Sequence, residues 1–181
     1  MPLVSVIKLP REHMNLETAL TLINQFNHTK LSFSSHANTV KTALLQQEKG
    51  IDLPNELISY IEKVCPDKPT TFIGVGHPIE LLSYNSLSWQ MKGFNITDDG
   101  EEIKNWQEAW FLIATEGSEP IIVDLNDQTA ISPVYSAMKT NAGWEFCPIA
   151  DSIGQFLLCS AAIEHALHFP GVTEPLDEDF N

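Results

Sequence analysis

Apolar residues recur along this chain in two rhythms, and the change from one to the other divides it. Leu16, Leu20, Ile23 and Phe26 fall at helical spacing behind Asn15, whose short side chain suits an N-cap. This helix is predicted to end within residues 27–30. A polar connection containing Ser32, Ser34, Ser35, His36 and Asn38 leads to Val40, Leu44 and Leu45, a second short helix stopped by Gly50. Leu53-Pro54 opens a third, because proline at the first helical position lacks an N–H that would be unpaired there anyway. Leu57, Ile58, Ile61 and Val64 give its inner stripe, and Pro66 and Pro69 end it.

Extended runs then take over. Residues 71–75 and 79–82 are predicted strands around a Gly76-His77-Pro78 turn. Leu87, Trp89 and Met91 are assigned to a short helix closing at Gly93, and 97–102 form an acidic turn centred on Asp99-Gly100. Segments 109–115, 121–125, 134–138 and 144–147 read as four consecutive strands, and their short, turn-rich connections favour antiparallel pairing. The last helix starts at Asp151 or Ser152 and runs to His168. Ile153, Phe156, Leu157, Ala161 and Leu167 form its inner face, and Pro170 stops it. The expected fold class is α+β: an antiparallel-dominated sheet with N-terminal helices and a closing C-terminal helix packed on it. One domain is expected over 1–181, with a core at about 50–169, a helical N-terminal extension over 1–49 and an acidic flexible tail over 170–181.

Charge narrows the class of partner. The chain has a formal net charge of −14. Asp98, Asp99, Glu101, Glu102, Glu108, Glu116, Glu119, Asp124 and Asp127 face only Lys104 within 94–127, so that segment alone holds −8. The tail adds four acids and no base. Acidity by itself keeps proteins soluble, but a field this concentrated also repels nucleic acid and anionic lipid and attracts basic partners. Cys65, Cys147 and Cys159 are scattered, odd in number and form no Cys-x-x-Cys pair, which fits free thiols in a reducing cytoplasm. Cys147 and Cys159 are expected in apolar surroundings. The short apolar run before Lys8 lacks the marks of a signal peptide, and no stretch approaches the ~20 apolar residues of a membrane span.

Candidate chemistry is sparse. Gly74-Val75-Gly76 lacks the third glycine of a dinucleotide loop, since position 79 is Ile, and Pro78 denies the helix that must follow; a tight strand turn is expected. Glu164 and His168 share a helix face beside His165, but a zinc site needs further ligands, and a helix C-terminus favours His⁺ by itself. His13, His28, His36 and His77 are isolated. Asp151-Ser152 has the form of a helix start, not of a nucleophile. Asp98/Asp99 and Glu101/Glu102 lie in a polar turn, unlike an acid–base pair in a cleft. No catalytic residue, metal or cofactor is expected. Trp110 and Trp144, flanked by apolar residues, are expected in the core. Trp106, between Asn105 and Gln107 beside the acidic turn, suits either a binding hot spot or a cover for the sheet edge.

The order of these elements resembles a known family. In WFLIATEGSEPIIVDLNDQTAISPVYSAMKTNAGWEFCPIADSIGQFLL, from Trp110 to Leu158, two apolar runs flank a Glu-Gly-Ser-Glu-Pro break, the second ends at Asp124, others begin near Val134 and Trp144, and Ala-Asp-Ser enters a helix. This is similar to the core of the SUKH superfamily, which includes bacterial toxin-immunity proteins and yeast cell-wall regulators. The Leu53-Pro54 helix start fits it too, while Cys65-Pro66-Asp67-Lys68-Pro69 stands where the pattern has an Asn-Gly turn. The resemblance implies a non-enzymatic protein-binding module, an immunity protein that neutralises a toxin in the cytoplasm. The alternatives are a regulatory adaptor for endogenous proteins and a small hydrolase with an unrecognised site. The expected partner is a basic toxin domain, with no nucleic acid and no membrane, and the chain is expected as a monomer or weak dimer. Asp98, Asp99, Glu101, Glu102, Trp106, Glu116 and Glu119 are the expected binding residues, gathered near one side of the sheet.

Overall fold

The computed structural model describes residues 14–25 and 40–168. Three helices come first: α1 (Leu16–Gln25), α2 (Val40–Lys49) and α3 (Asn55–Lys63). Six strands follow: β1 (Thr70–Phe72), β2 (Ile79–Leu81), β3 (Trp110–Glu116), β4 (Glu119–Asp124), β5 (Val134–Thr140) and β6 (Gly143–Ala150). They pair in sequence order, each antiparallel to the next, and α4 (Ile153–His168) closes the chain. The α+β expectation holds, with the four long strands displaced by at most three residues at an end. The predicted end of the first helix, the polar connection after it and the acidic tail lie outside the described residues.

The caps follow the local sequence. Asn15 Oδ1 accepts from Thr18 N at 2.9 Å and starts α1. Gly50, at φ +68°, takes the left-handed conformation that ends α2. Pro54 stands one residue outside α3, and its carbonyl accepts the helix's first bond from Ile58 N at 3.0 Å. Ser152 Oγ accepts from Gln155 N at 3.0 Å while Gln155 Oε1 accepts from Asp151 N at 2.6 Å, a reciprocal cap on α4. Gly74 comes so close to the His77 carbonyl that a β-carbon would collide with it, which makes Gly74-Val75-Gly76 the expected tight turn.

Register assigns side chains to faces, because alternate residues of a strand point oppositely. Phe111, Val123, Val134 and Ala150 form one cross-strand row, and Leu81, Ala114 and Ile121 another. Both rows are buried in one cluster with Leu20 of α1, Leu57 of α3 and Leu157 of α4. One residue along, Leu112, Ile122, Tyr135 and Pro148 pair across the opposite face. Trp110 and Trp144 belong to that second face and are half-buried, so they are not core residues as expected; Trp89 is, with its indole N–H donating to Leu45 O at 2.9 Å. Leu167 is exposed, whereas Ile153, Phe156, Leu157 and Ala161 are buried as expected.

No helix forms at Leu87–Met91. Polar side chains capture the backbone groups that a helix would need. Ser88 Oγ donates to Gln90 O at 2.8 Å, and Asn95 accepts from Met91 N at 2.7 Å while donating to Trp89 O.

One buried acid joins three elements. Glu56 shares the inner face of α3 with Leu57 and Tyr60. Its carboxylate accepts from Ser132 N at 2.6 Å, in the β4–β5 connection, and from Gly154 N at 3.1 Å, at the start of α4. Burial raises its pKa; the N–H groups of Ser132, Gly154 and Ile153 pull the other way and only partly offset it. Beside it, Gly154 lets α1 approach: a β-carbon there would stand 2.8 Å from Asn15 and Met14 backbone atoms.

Candidate functional site

The segment from Met91 to Glu108 has almost no regular structure, yet its own backbone holds it. Ile103 N donates to Asn95 O at 2.8 Å, Gly93 N to Ile96 O at 2.8 Å and Thr97 N to Glu101 O at 2.7 Å. Ile96 bridges Glu102 in antiparallel fashion. Thr97 Oγ1 accepts from Glu101 N at 3.1 Å, and Gly100 at φ +86° closes the turn that presents Asp98 and Asp99 to solvent.

The loop is also fastened to the β5–β6 hairpin. Asn105, the one described non-glycine residue at positive φ (74°), donates to Ala142 O. Gly143 packs so tightly against it that a β-carbon would lie 2.8 Å from Asn105 Nδ2. Trp144 Nε1 donates to Phe94 O at 3.3 Å. Trp106 then meets Trp110 edge-to-face at 5.7 Å and Phe146 at 6.2 Å, while Trp110 and Phe146 lie 4.2 Å apart. Contacts of this kind are worth about 0.5–1.5 kcal/mol each beyond area burial. The result is a half-buried aromatic triad on the face of the sheet opposite the one that α1, α3 and α4 cover.

The expected binding residues fall into two groups. Asp98, Asp99, Glu101, Glu102 and Trp106 share the fastened loop at the Trp110 end of β3. Glu116 and Glu119 flank the β3–β4 turn at the other end, about 20 Å away at ~3.3 Å per strand residue. In their place, register brings Asp124 directly opposite Trp110. Glu108, at the end of the loop, and Trp110, just after it, are omitted from the expected set; with Glu102 and Trp106 they line a cavity of about 180 Å³. The signal for Glu108 was its place in the acidic run; for Trp110, its period-two relation to the core residue Phe111. Among the described residues, none of the loop carboxylates is engaged in a salt bridge.

His168 Nε2 lies 4.0 Å from Glu164 Oε1, and among the described residues no three His, Cys, Asp or Glu side chains are grouped to hold a metal ion. His77 is exposed on its turn, and His13, His28 and His36 lie outside the described residues. Burial pushes the Cys65 thiol up to about 12 and the neighbouring Tyr60 hydroxyl well above its ordinary value, so neither ionises at neutral pH. Cys147 and Cys159 are exposed rather than packed in apolar surroundings. No helix among the described residues is long and apolar enough to cross a membrane.

The model of the SMI1 / KNR4 family (SUKH-1) matches residues 37–159. The match takes in α2, α3, the whole sheet and the first part of α4, and leaves out α1. No curated protein and no solved structure matches the chain.

Proposed function

The chain belongs to the SMI1 / KNR4 family (SUKH-1), and from that premise we propose that it is a non-enzymatic protein-binding module: an immunity protein that neutralises a basic toxin domain in the cytoplasm. The observation that carries this reading is the fastened loop 91–108. It carries Asp98, Asp99, Glu101, Glu102 and Glu108, none of them in a salt bridge among the described residues, on the same segment as the half-buried Trp106. Such a surface steers a basic partner toward it and offers an aromatic anchor on arrival. Because the loop is pinned by Asn105 and Asn95, little ordering entropy remains to be lost on binding. Glu116 and Glu119 form a second, smaller acidic site outside this surface.

The test begins with the neighbouring reading frame, which is expected to end in a small basic toxin domain. That domain, purified, is expected to associate with the chain more slowly as salt rises, since the Debye length shrinks from ~10 Å at 0.1 M to ~3 Å at 1 M. Charge reversal at Glu101 and Glu102 slows association more than it speeds dissociation. Trp106→Ala acts mainly on dissociation. Hydrogen-exchange protection on binding is expected over 91–108; protection confined to α1 and α2 overturns the assignment of the surface.

A further inference from the structure

Beneath the acidic loop, the 180 Å³ cavity combines three features. It is lined by Trp106 and Trp110, by Glu102 and Glu108, and by Lys49 from the last turn of α2. It is smaller than the roughly 300–1,000 Å³ of small-molecule sites, so it suits a single side chain better than a free metabolite. Two acidic residues outweigh one basic residue in the lining, and neither carboxylate is committed to a salt bridge among the described residues.

We infer that this cavity seats one arginine side chain of the basic partner, its guanidinium against an indole and bonded to Glu102 and Glu108. The inference rests on the binding surface proposed above and names its anchor point. A planar guanidinium stacks on aromatic faces and forks onto carboxylates; a lysine ammonium does neither as well. The walls are set before binding. Trp106 and Trp110 are held in the aromatic triad, and Glu102 is held by the backbone bridge to Ile96. Lys49 is the cavity's own cation and opposes the incoming one, so removing it strengthens occupancy.

The experiment uses the full chain and two short peptides, acetyl-Gly-Arg-Gly-amide and its citrulline counterpart, which has nearly the same shape but no charge. Indole N–H resonances of Trp106 and Trp110 are followed during titration. The arginine peptide is expected to shift both with saturation, and the citrulline peptide to leave them in place. The double variant Glu102→Gln/Glu108→Gln is expected to weaken binding about tenfold with an unchanged melting temperature, and Lys49→Ala to tighten it about threefold. Equal shifts with both peptides, no saturation, or shifts confined to other residues overturn the inference. The two levels separate cleanly. A toxin domain that binds the double variant as tightly as the parent removes the arginine seat and leaves the binding reading standing. A cavity that takes the peptide in a chain that binds no basic domain removes the binding reading and, with it, the partner's arginine.

Discussion

The two faces of the sheet share the same strands and follow different rules. On the helix side, Phe111, Ile121, Val123 and Val134 are aliphatic or aromatic and closed over by α1, α3 and α4. Two acids are buried there: the Glu56 carboxylate accepts from backbone N–H groups, and Glu164 of α4 stands 4.0 Å from His168. On the other side, Trp106, Trp110 and Phe146 stay half-buried, and the glutamates near them, Glu102 and Glu108, are exposed and form no salt bridge among the described residues. A buried carboxylate held by backbone N–H groups is committed to the fold, whereas an exposed one beside aromatic surface is free to meet something else. The same residue type is a structural joint on one face and a component of a binding surface on the other.

The sharpest way to break this contrast is at Glu56. Glu56→Ala leaves the Ser132 and Gly154 N–H groups buried without their acceptor, and at ~1–3 kcal/mol for each such group the loss of stability is expected to be about 3 kcal/mol in urea unfolding. Glu56 also predicts a pH signature. Its pKa is raised in the folded state, so the native chain binds this proton at a pH where the unfolded chain has released it. Stability from this group therefore falls as pH rises from the ordinary carboxylate value through the raised one. Glu56→Gln is expected to flatten that slope.

Next comes Gly154→Ala, which drives a methyl group into the Asn15 backbone and is expected to cost about 2 kcal/mol despite alanine's better helix propensity. An unchanged midpoint would mean that α1 is not seated against α4. On the opposite face, Gly143→Ala meets both Asn105 and a backbone at φ +121°, and about 1 kcal/mol is expected. Its characteristic readout is faster hydrogen exchange over 91–106 with the helix side unchanged. The mildest probe perturbs nothing. Cys147 is expected to react first with a thiol reagent, and Cys65, buried and with its thiol pushed up to about 12, only on unfolding.

Much of the fold was legible because its signals are local. Asn15, Gly50 and Ser152 act within one turn of where they stand, and the four long strands follow directly from their apolar runs. The errors are equally specific. Leu87, Trp89 and Met91 suggested a helix, but Ser88 and Asn95 bond the backbone in a different shape. Trp110 and Trp144 have apolar neighbours, yet in a strand the adjacent residue points to the other face, so apolar flanks do not identify the side. Glu56 was overlooked, although with Leu53, Leu57 and Tyr60 it completes a helical i, i+3, i+4, i+7 stripe that faces inward.

By itself the sequence determined the four helices of the structure, the four long strands and their antiparallel pairing, the caps and the sign of the surface field, since each depends on residues a few positions apart or on a sum over the chain. Tertiary structure alone decided which acids meet. Glu116 is six residues from Trp110 and about 20 Å away, because a strand advances ~3.3 Å per residue. Asp124 is fourteen residues from Trp110 and directly across the ladder, where paired residues stand ~5 Å apart. Charge along the chain adds up without regard to position. A binding surface depends on distance in space, and only the register of the sheet converts one into the other.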